Sequence, residues 1–352
     1  MNTQLIDTLN AVGKPTETFE SPDGSRALLL PYGGRILGLF APDSDENFYW
    51  THTALQSKET AADFYDSDEW HNSGGDRTWL APEVDIFFPN FPITDPYFQP
   101  RQLDPGNYEI ERGAGGALRM VNRLRLMLSR SKREVAVRIA KEVGPAANPL
   151  RHEAIAARTP GTEYAGYTLR TSLYWEDDNE TDEMPVGLWN LVQMPHGGDL
   201  LMPTHVRAVP KIYFGRIEEE DLIVDDHLVR YRMRAEGEHK LGVRAVAVTG
   251  RVGYLYRAGD DRWSLIVRNF FVNPSGEYVD VPWGDTEDMG YSTQACNVNS
   301  QLGSFSELEY HVPAIGGASG QNSCEDAAAV WAFRGPLDEI RLIGKSLLTT
   351  NC

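Results

Sequence analysis

A chain of 352 residues with 41% hydrophobic and 24% charged residues has the composition of a globular protein, which excludes a disordered or fibrous chain. Fifty-one acidic against thirty-three basic residues leave a formal charge of −18 at pH 7, which repels phosphate backbones and anionic headgroups. Neither nucleic acid nor a membrane surface is therefore an expected partner. All-β domains commonly exceed 200 residues as one unit, so residues 1–352 are read as a single domain.

Strand patterning dominates from the start. Pro31 to Gly34 is a turn cluster that opens YGGRILGLF (Tyr32 to Phe40). Thr53 to Asp63 reads as a short helix. Trp70 to Pro89, WHNSGGDRTWLAPEVDIFFP, is chemically the richest stretch, with His71, Asp76, Arg77, Glu83 and Asp85 close to Trp70, Trp79, Phe87 and Phe88. A pyranose offers apolar C–H faces to an aromatic ring and a rim of hydroxyls to planar donors and carboxylates, so this mixture suits a sugar, with Arg77 orienting it. A structural reading of the same residues pairs Asp76 with Arg77, spends the glycines on a tight turn and buries the tryptophans in the core.

Farther on, Arg133 to Ala140 (REVAVRIA) and Tyr164 to Trp175 alternate apolar and polar residues with the period of strands. Trp175 to Met184 and Gly215 to Asp226 are acidic, low-hydrophobicity stretches read as solvated loops. Pro185 to Pro203 leads an apolar strand through Gln193 into a Gly-Gly turn with His196 at its mouth. An imidazole titrates near neutrality and can move a proton, which makes His196 the first general-acid candidate and His71 the second. Val243 to Val248, Val252 to Tyr256 and Trp263 to Phe271 read as further strands. Ser306 to Pro313 places Glu307, Glu309 and His311 on one side and Leu308, Tyr310 and Val312 on the other. A carboxylate in a partly dry cleft has a raised pKa and can act as a base. Leu337 to Leu348 reads as an amphipathic terminal helix, and no fixed-period repeat points to a propeller, so a two-sheet sandwich is expected.

Cys296, Cys324 and Cys352 form no CxxC pair and no even disulfide framework. The opening MNTQLIDTLNAVGKP lacks a basic stretch followed by an apolar one, and no run approaches the roughly eighteen apolar residues of a membrane helix. A cytoplasmic location is the expectation.

Together these stretches resemble the galactose-mutarotase-like superfamily, the aldose 1-epimerases and an epimerase-like branch among their relatives. The resemblance rests on YGGRILGLF, on Gly-Gly-Asp-Arg-x-Trp-x-x-Pro-Glu at Gly74 to Glu83, and on Leu308-Glu309-Tyr310-His311-Val312-Pro313, in an order that spans nearly the whole chain. It implies an all-β super-sandwich of two large antiparallel sheets with few short helices, taking a small-molecule carbohydrate. It also implies a ring-opening isomerisation in which a glutamate removes the anomeric hydroxyl proton and a histidine protonates the ring oxygen. On this basis Glu309 and His196 are the expected catalytic pair, and His71, Asp76, Arg77, Trp79, Glu83, Gln193 and His311 the expected substrate contacts.

The epimerases' Asn-His-x-x-Phe-Asn motif is replaced here by NLVQMPHGG, and their early Asn-Arg-Ile element has no copy. Two other readings therefore stay open: a non-catalytic carbohydrate-binding or sensing protein, and a glycan lyase or hydrolase built on a carboxylate pair such as Glu83 and Glu309. Hemiacetal opening needs only an acid and a base, so no cofactor is expected. No two histidines have helical ligand spacing, so no metal is expected either, the weak alternative being a hard cation on Asp76, Glu83 and Asp85. With only Arg77 and Arg35 placed near the cleft, an uncharged sugar is favoured over a phosphorylated one.

Overall fold

Alternating side chains over so many segments are buried only when the strands pair into sheets and the sheets close on one another. The computed structural model, which describes residues 3–113, 116–176 and 185–348, has this arrangement. Among the described residues one antiparallel sheet has nine strands, in the order Glu17–Glu20, Arg26–Leu30, Arg35–Phe40, Asp76–Ala81, Gly187–Pro195, Gly303–His311, Tyr291–Ser300, Gly237–Arg244 and Lys211–Phe214. The other has ten: Leu222–Val224, Leu228–Arg232, Asp199–Pro203, Arg251–Arg257, Trp263–Asn269, Ser323–Gly335, Glu163–Trp175, Arg133–Pro145, Leu118–Leu128 and Glu109–Arg112. Leu188, Val192 and Leu308 of the first sheet share one apolar core with Val137, Leu169 and Ile266 of the second. This is the two-sheet, all-β super-sandwich that the strand pattern and the resemblance imply.

Local differences have local causes. Only Val243 and Arg244 of the Val243 to Val248 pattern belong to a strand: pairing runs over Gly237–Arg244, and the chain then turns where the Ala247 N–H donates to the Arg244 carbonyl. Small apolar residues in alternation do not distinguish a strand from such a turn. Within the acidic stretch 215–226, Leu222–Val224 adds a short strand beside Leu228–Arg232. Residues 177–184 and Cys352 lie outside the described residues. The expected early helix is a 3-10 turn, Thr53–Gln56, followed by a helix, Lys58–Asp66, whose first turn is capped by Ser57. A helix at Thr3–Ala11 has no counterpart among the expected elements, and its Leu5 and Leu9 pack with Leu28, Leu30 and Phe40. The terminal helix runs Leu337–Leu348 and buries Ile340, Ile343 and Leu347 in a cluster with Leu201, Leu255 and Leu265 of the ten-stranded sheet. No helix among the described residues is long and apolar enough to cross a membrane.

The space between the sheets also holds charge. Asp76, fully buried on the nine-stranded sheet, accepts from Arg268 at 3.0 Å and from the Tyr167 hydroxyl at 2.9 Å, and Lys141 lies 3.7 Å away. These three partners come from three different strands of the opposite sheet. Arg268 also reaches the Leu308 carbonyl, 3.3 Å away, and Lys141 the Gly34 carbonyl, 2.8 Å away. Burial lowers the Lys141 pKa to about 8, with Asp76 opposing the shift. The strand that carries Asp76 enters through Gly74 and Gly75; at Gly75, φ is +74° and a Cβ would sit 2.3 Å from the Ile36 carbonyl oxygen, so only glycine fits.

Replacing one member of a buried charge cluster strands the others. Asp76→Asn should lower unfolding stability by about 3–5 kcal/mol, read as a shift of the urea midpoint at unchanged slope.

Candidate functional site

Because side chains alternate across a strand, the inward Asp76 obliges Arg77 to point to the outer face of the nine-stranded sheet. The register carries that face across the sheet. Trp79 stands opposite Trp189 and Trp189 opposite His311; Gln193 faces Glu307, Glu307 faces Cys296, and Cys296 faces Lys240. A cavity of about 450 Å³ lies over this face, with Arg77, Trp79, Trp189, Lys240, Glu307 and Glu309 on its floor and Trp70, Glu83, Tyr97 and Trp283 around it.

Two charge centres organise the floor. At the first, Arg77 Nη2 donates to Glu307 Oε1 at 2.8 Å, and Gln193 Nε2 donates to the same oxygen at 3.0 Å. The Arg77 guanidinium stacks 4.1 Å from the Trp79 ring centre and 5.3 Å from that of Trp70. Both indole N–H groups donate to Asp104, each at 3.0 Å, and Asp104 is itself paired with Arg35 at 3.0 Å. Asp104 therefore fixes the aromatic walls that hold Arg77. Nε and Nη1 of Arg77 are buried and have no partner among the described residues.

The second centre is Lys240, buried 3.2 Å from Glu83, 3.6 Å from Glu309 and 3.8 Å from Asp280, with its ammonium 4.1 Å from the Trp189 ring centre. Burial opposes its charge, but Glu309, Glu83 and Asp280 outweigh burial and raise its pKa. Glu83 accepts further bonds from Tyr97 (2.9 Å) and Trp283 (3.0 Å), and Asp280 from the Glu83 amide (2.8 Å) and Gln294 (2.9 Å). Glu309 Oε2 accepts from the Trp189 indole at 2.8 Å, while Oε1 has no partner among the described residues. Burial first, then the Glu307 and Glu83 charges, push the Glu309 carboxyl up to about 8 against the pull of Lys240.

Of the residues expected in the site, Arg77, Trp79, Glu83 and Glu309 line this cavity, and Gln193 supports Glu307 from beneath. The other four do not line it. Asp76 serves the interior between the sheets. His71 is packed beside Tyr32, Phe64 and Tyr65, its Nδ1 2.5 Å from the Tyr32 hydroxyl and its Nε2 3.0 Å from the Ser67 carbonyl; burial lowers its pKa. His196 bonds Asn297 at 3.0 Å, and Asn297 alternates to the side opposite Cys296. His196 is therefore separated from Glu309 by the sheet itself. His311 lies stacked on Trp189 and 4.0 Å from Asp280; burial and then Lys240 drive its pKa well below the ordinary value, so it stays neutral.

Lys240, Trp189, Glu307, Asp280, Trp283 and Asp104 complete the site. Glu307 was marked by the alternation around Glu309, whereas Lys240 sits in GEHKLGVR with no local sign that its ammonium is buried. The Asp76, Glu83 and Asp85 set does not converge, since Asp85 is clasped by Arg130 at 2.8 Å and Asp76 faces inward. Cys296, Glu307 and Glu309 do bring potential ligand atoms within 4.8 Å of one another. Arg77 lies 2.8 Å from Glu307 and Lys240 3.6 Å from Glu309, and burial, then Glu307 and Glu309, hold the thiol protonated by raising its pKa. That chemistry fits a protein-neutralised pair better than a metal.

A family of unknown function, DUF6786, matches residues 12–352. Comparison with curated proteins gives no match. Among solved structures, the GalM/aldose epimerase homologue from C. elegans is similar at 10% identity and a TM-score of 0.38, covering 91% of this chain and 98% of that one. The galactose 1-epimerase from Lactobacillus acidophilus NCFM is similar at 10% identity and a TM-score of 0.41, covering 90% and 93%.

Lys240→Met removes the single ammonium shared by three buried carboxyls. Stability at pH 7 should fall by about 3–5 kcal/mol. Without the ammonium, folding raises the carboxyl pKa values above their unfolded values, so the loss should shrink as pH falls toward 5 and those groups take up protons; urea unfolding at both pH values measures this.

Proposed function

The chain belongs to the DUF6786 family of unknown function, and we propose that it binds a saccharide in the cleft on the outer face of the nine-stranded sheet and moves protons at the sugar's anomeric centre. The observation that carries the reading is the pairing of aromatic walls with polar atoms lacking a protein partner. Trp70, Trp79, Trp189 and Trp283 line the same cavity as Arg77, whose Nε and Nη1 have no partner among the described residues, and Glu309, whose Oε1 has none among them. Rings take the C–H faces of a pyranose, and a guanidinium and a carboxyl take its hydroxyls.

The charge of the lining favours an uncharged sugar. Asp68, Glu69, Glu83, Glu238, Glu307 and Glu309 face the cavity with Arg77 and Lys240, and both cations are already ion-paired. A phosphate or uronate would enter a negative site and meet no uncommitted cation among those lining residues.

Proton transfer is supported by Glu309, a buried carboxyl with one oxygen open to a partner. Binding without turnover is the second reading, favoured by the displacement of both candidate acid histidines, His196 and His71, from the cleft.

Calorimetry against a panel of free aldoses, their 6-phosphates and uronic acids should show binding to uncharged members only. Trp283→Ala should weaken that binding by about 3–10-fold. Exchange NMR on the sugars that bind separates the two readings: accelerated anomer interconversion, lost in Glu309→Gln with binding retained, supports proton transfer, and binding with no acceleration supports a sensor. Absence of binding across the panel overturns both.

A further inference from the structure

Four carboxyl groups, Glu83, Asp280, Glu307 and Glu309, share the buried floor with two cations, Arg77 and Lys240. In a dry environment four carboxylates cannot all remain ionised against two positive charges, and the proton goes to the group whose negative charge is least supported. Donor geometry identifies that group. Glu307 Oε1 is held by Arg77 at 2.8 Å and Gln193 at 3.0 Å. Glu83 receives Tyr97, Trp283 and the nearest approach of Lys240, and Asp280 receives a backbone amide and Gln294. Glu309 Oε2 receives one neutral indole N–H and lies 3.6 Å from the Lys240 ammonium, beyond hydrogen-bond distance, and its Oε1 is buried with no partner among the described residues.

We infer that Glu307 and Glu309 form a matched carboxylate–carboxylic acid pair, with Glu309 holding the proton in the resting protein and Glu307 supplying the base. The pair is adjacent on one strand face, with carboxyl oxygens within 4.8 Å. The roles rest on the reading of this cleft as a sugar site and differ from what the sequence resemblance implies, where Glu309 is the base and a histidine the acid. The raised Glu309 pKa agrees with the geometry. Among the described residues, the other titratable or charged groups facing the pair include Arg77, Glu83, Tyr97, Tyr213, Lys240 and Cys296, with Asp280 on the far side of Lys240.

With a free pyranose bound, the step balances within the pair. Glu309 gives its proton to the ring oxygen as the C1–O5 bond breaks and its electron pair goes to that oxygen. Glu307 takes the proton of the anomeric hydroxyl, whose O–H electron pair becomes the second bond of the C1 aldehyde. Rotation about C1–C2 and the reverse transfers close the ring on the other face and restore both groups. No histidine is needed. The opposite environments of two neighbouring carboxyls, one dry and one held by a guanidinium, set the two roles.

Infrared spectroscopy of the intact protein at pH 7 reads the proton without any sugar. A protonated-carboxyl carbonyl band is expected in the wild type and in Glu83→Gln, and its loss is expected in Glu309→Gln. A wild type without the band, or a band that persists in folded Glu309→Gln, overturns the assignment. Carbon-13 NMR of glutamate-labelled wild type makes the same test without a variant: one glutamate carboxyl should titrate near or above neutrality, and none doing so overturns it. On any aldose whose interconversion the wild type accelerates, Glu307→Gln should lose at least about 100-fold in rate, and full retention refutes the base role. Failure of every sugar to bind would sink the saccharide reading while leaving the infrared result to decide the proton's place.

Discussion

Asp76 is the constraint on which the rest of the molecule turns. A carboxylate sealed between two sheets has no water to answer it, so the opposite sheet must bring Arg268, Lys141 and Tyr167 to that point. Those contacts set how the two sheets lie on each other, and they also set the direction of every neighbouring side chain. With Asp76 inward, Arg77 and Trp79 face outward, and the antiparallel register passes the same parity to Trp189, Glu307, Glu309 and Lys240. Core and cleft are thus two faces of one alternation.

The cleft repeats the same physics with a different balance. Between the sheets, one carboxylate meets two cations; on the outer floor, four carboxyls meet two. The first arrangement satisfies charge and holds structure together. The second leaves a surplus of carboxyls over cations, and burial pushes the Glu309 carboxyl up to about 8. Trp79, Trp189 and Trp283 line the same cavity and shield these groups from water.

The histidines illustrate why residue type alone misleads. Three of them stand in the stretches richest in polar chemistry, yet His71 is locked by Tyr32 and Ser67, His196 lies across the sheet with Asn297, and His311 is stacked on Trp189. In each case strand parity or local packing decided the matter. For His311 and Glu309 the parity was readable, since both alternate with Leu308 and Tyr310, but what each side chain would meet was not. His196 follows the end of its strand, where a turn can send a side chain to either face.

Strand content, the two-sheet architecture, the terminal helix and the polar segments around Arg77 and Glu309 were legible in the sequence, because period-two burial and turn chemistry are local properties written in neighbouring residues. Lys240, Trp189, Asp280 and Asp104 were not, because what distinguishes them is their partners across the sheets and loops: Glu309 for Trp189 and Lys240, Glu83 for Lys240 and Asp280, and Trp70, Trp79 and Arg35 for Asp104. The sequence by itself determined that the chain would build alternating strands rich in inward apolar and outward polar groups. Only the tertiary structure decided which charges would share one dry space, since electrostatic balance depends on distance and burial rather than on order along the chain.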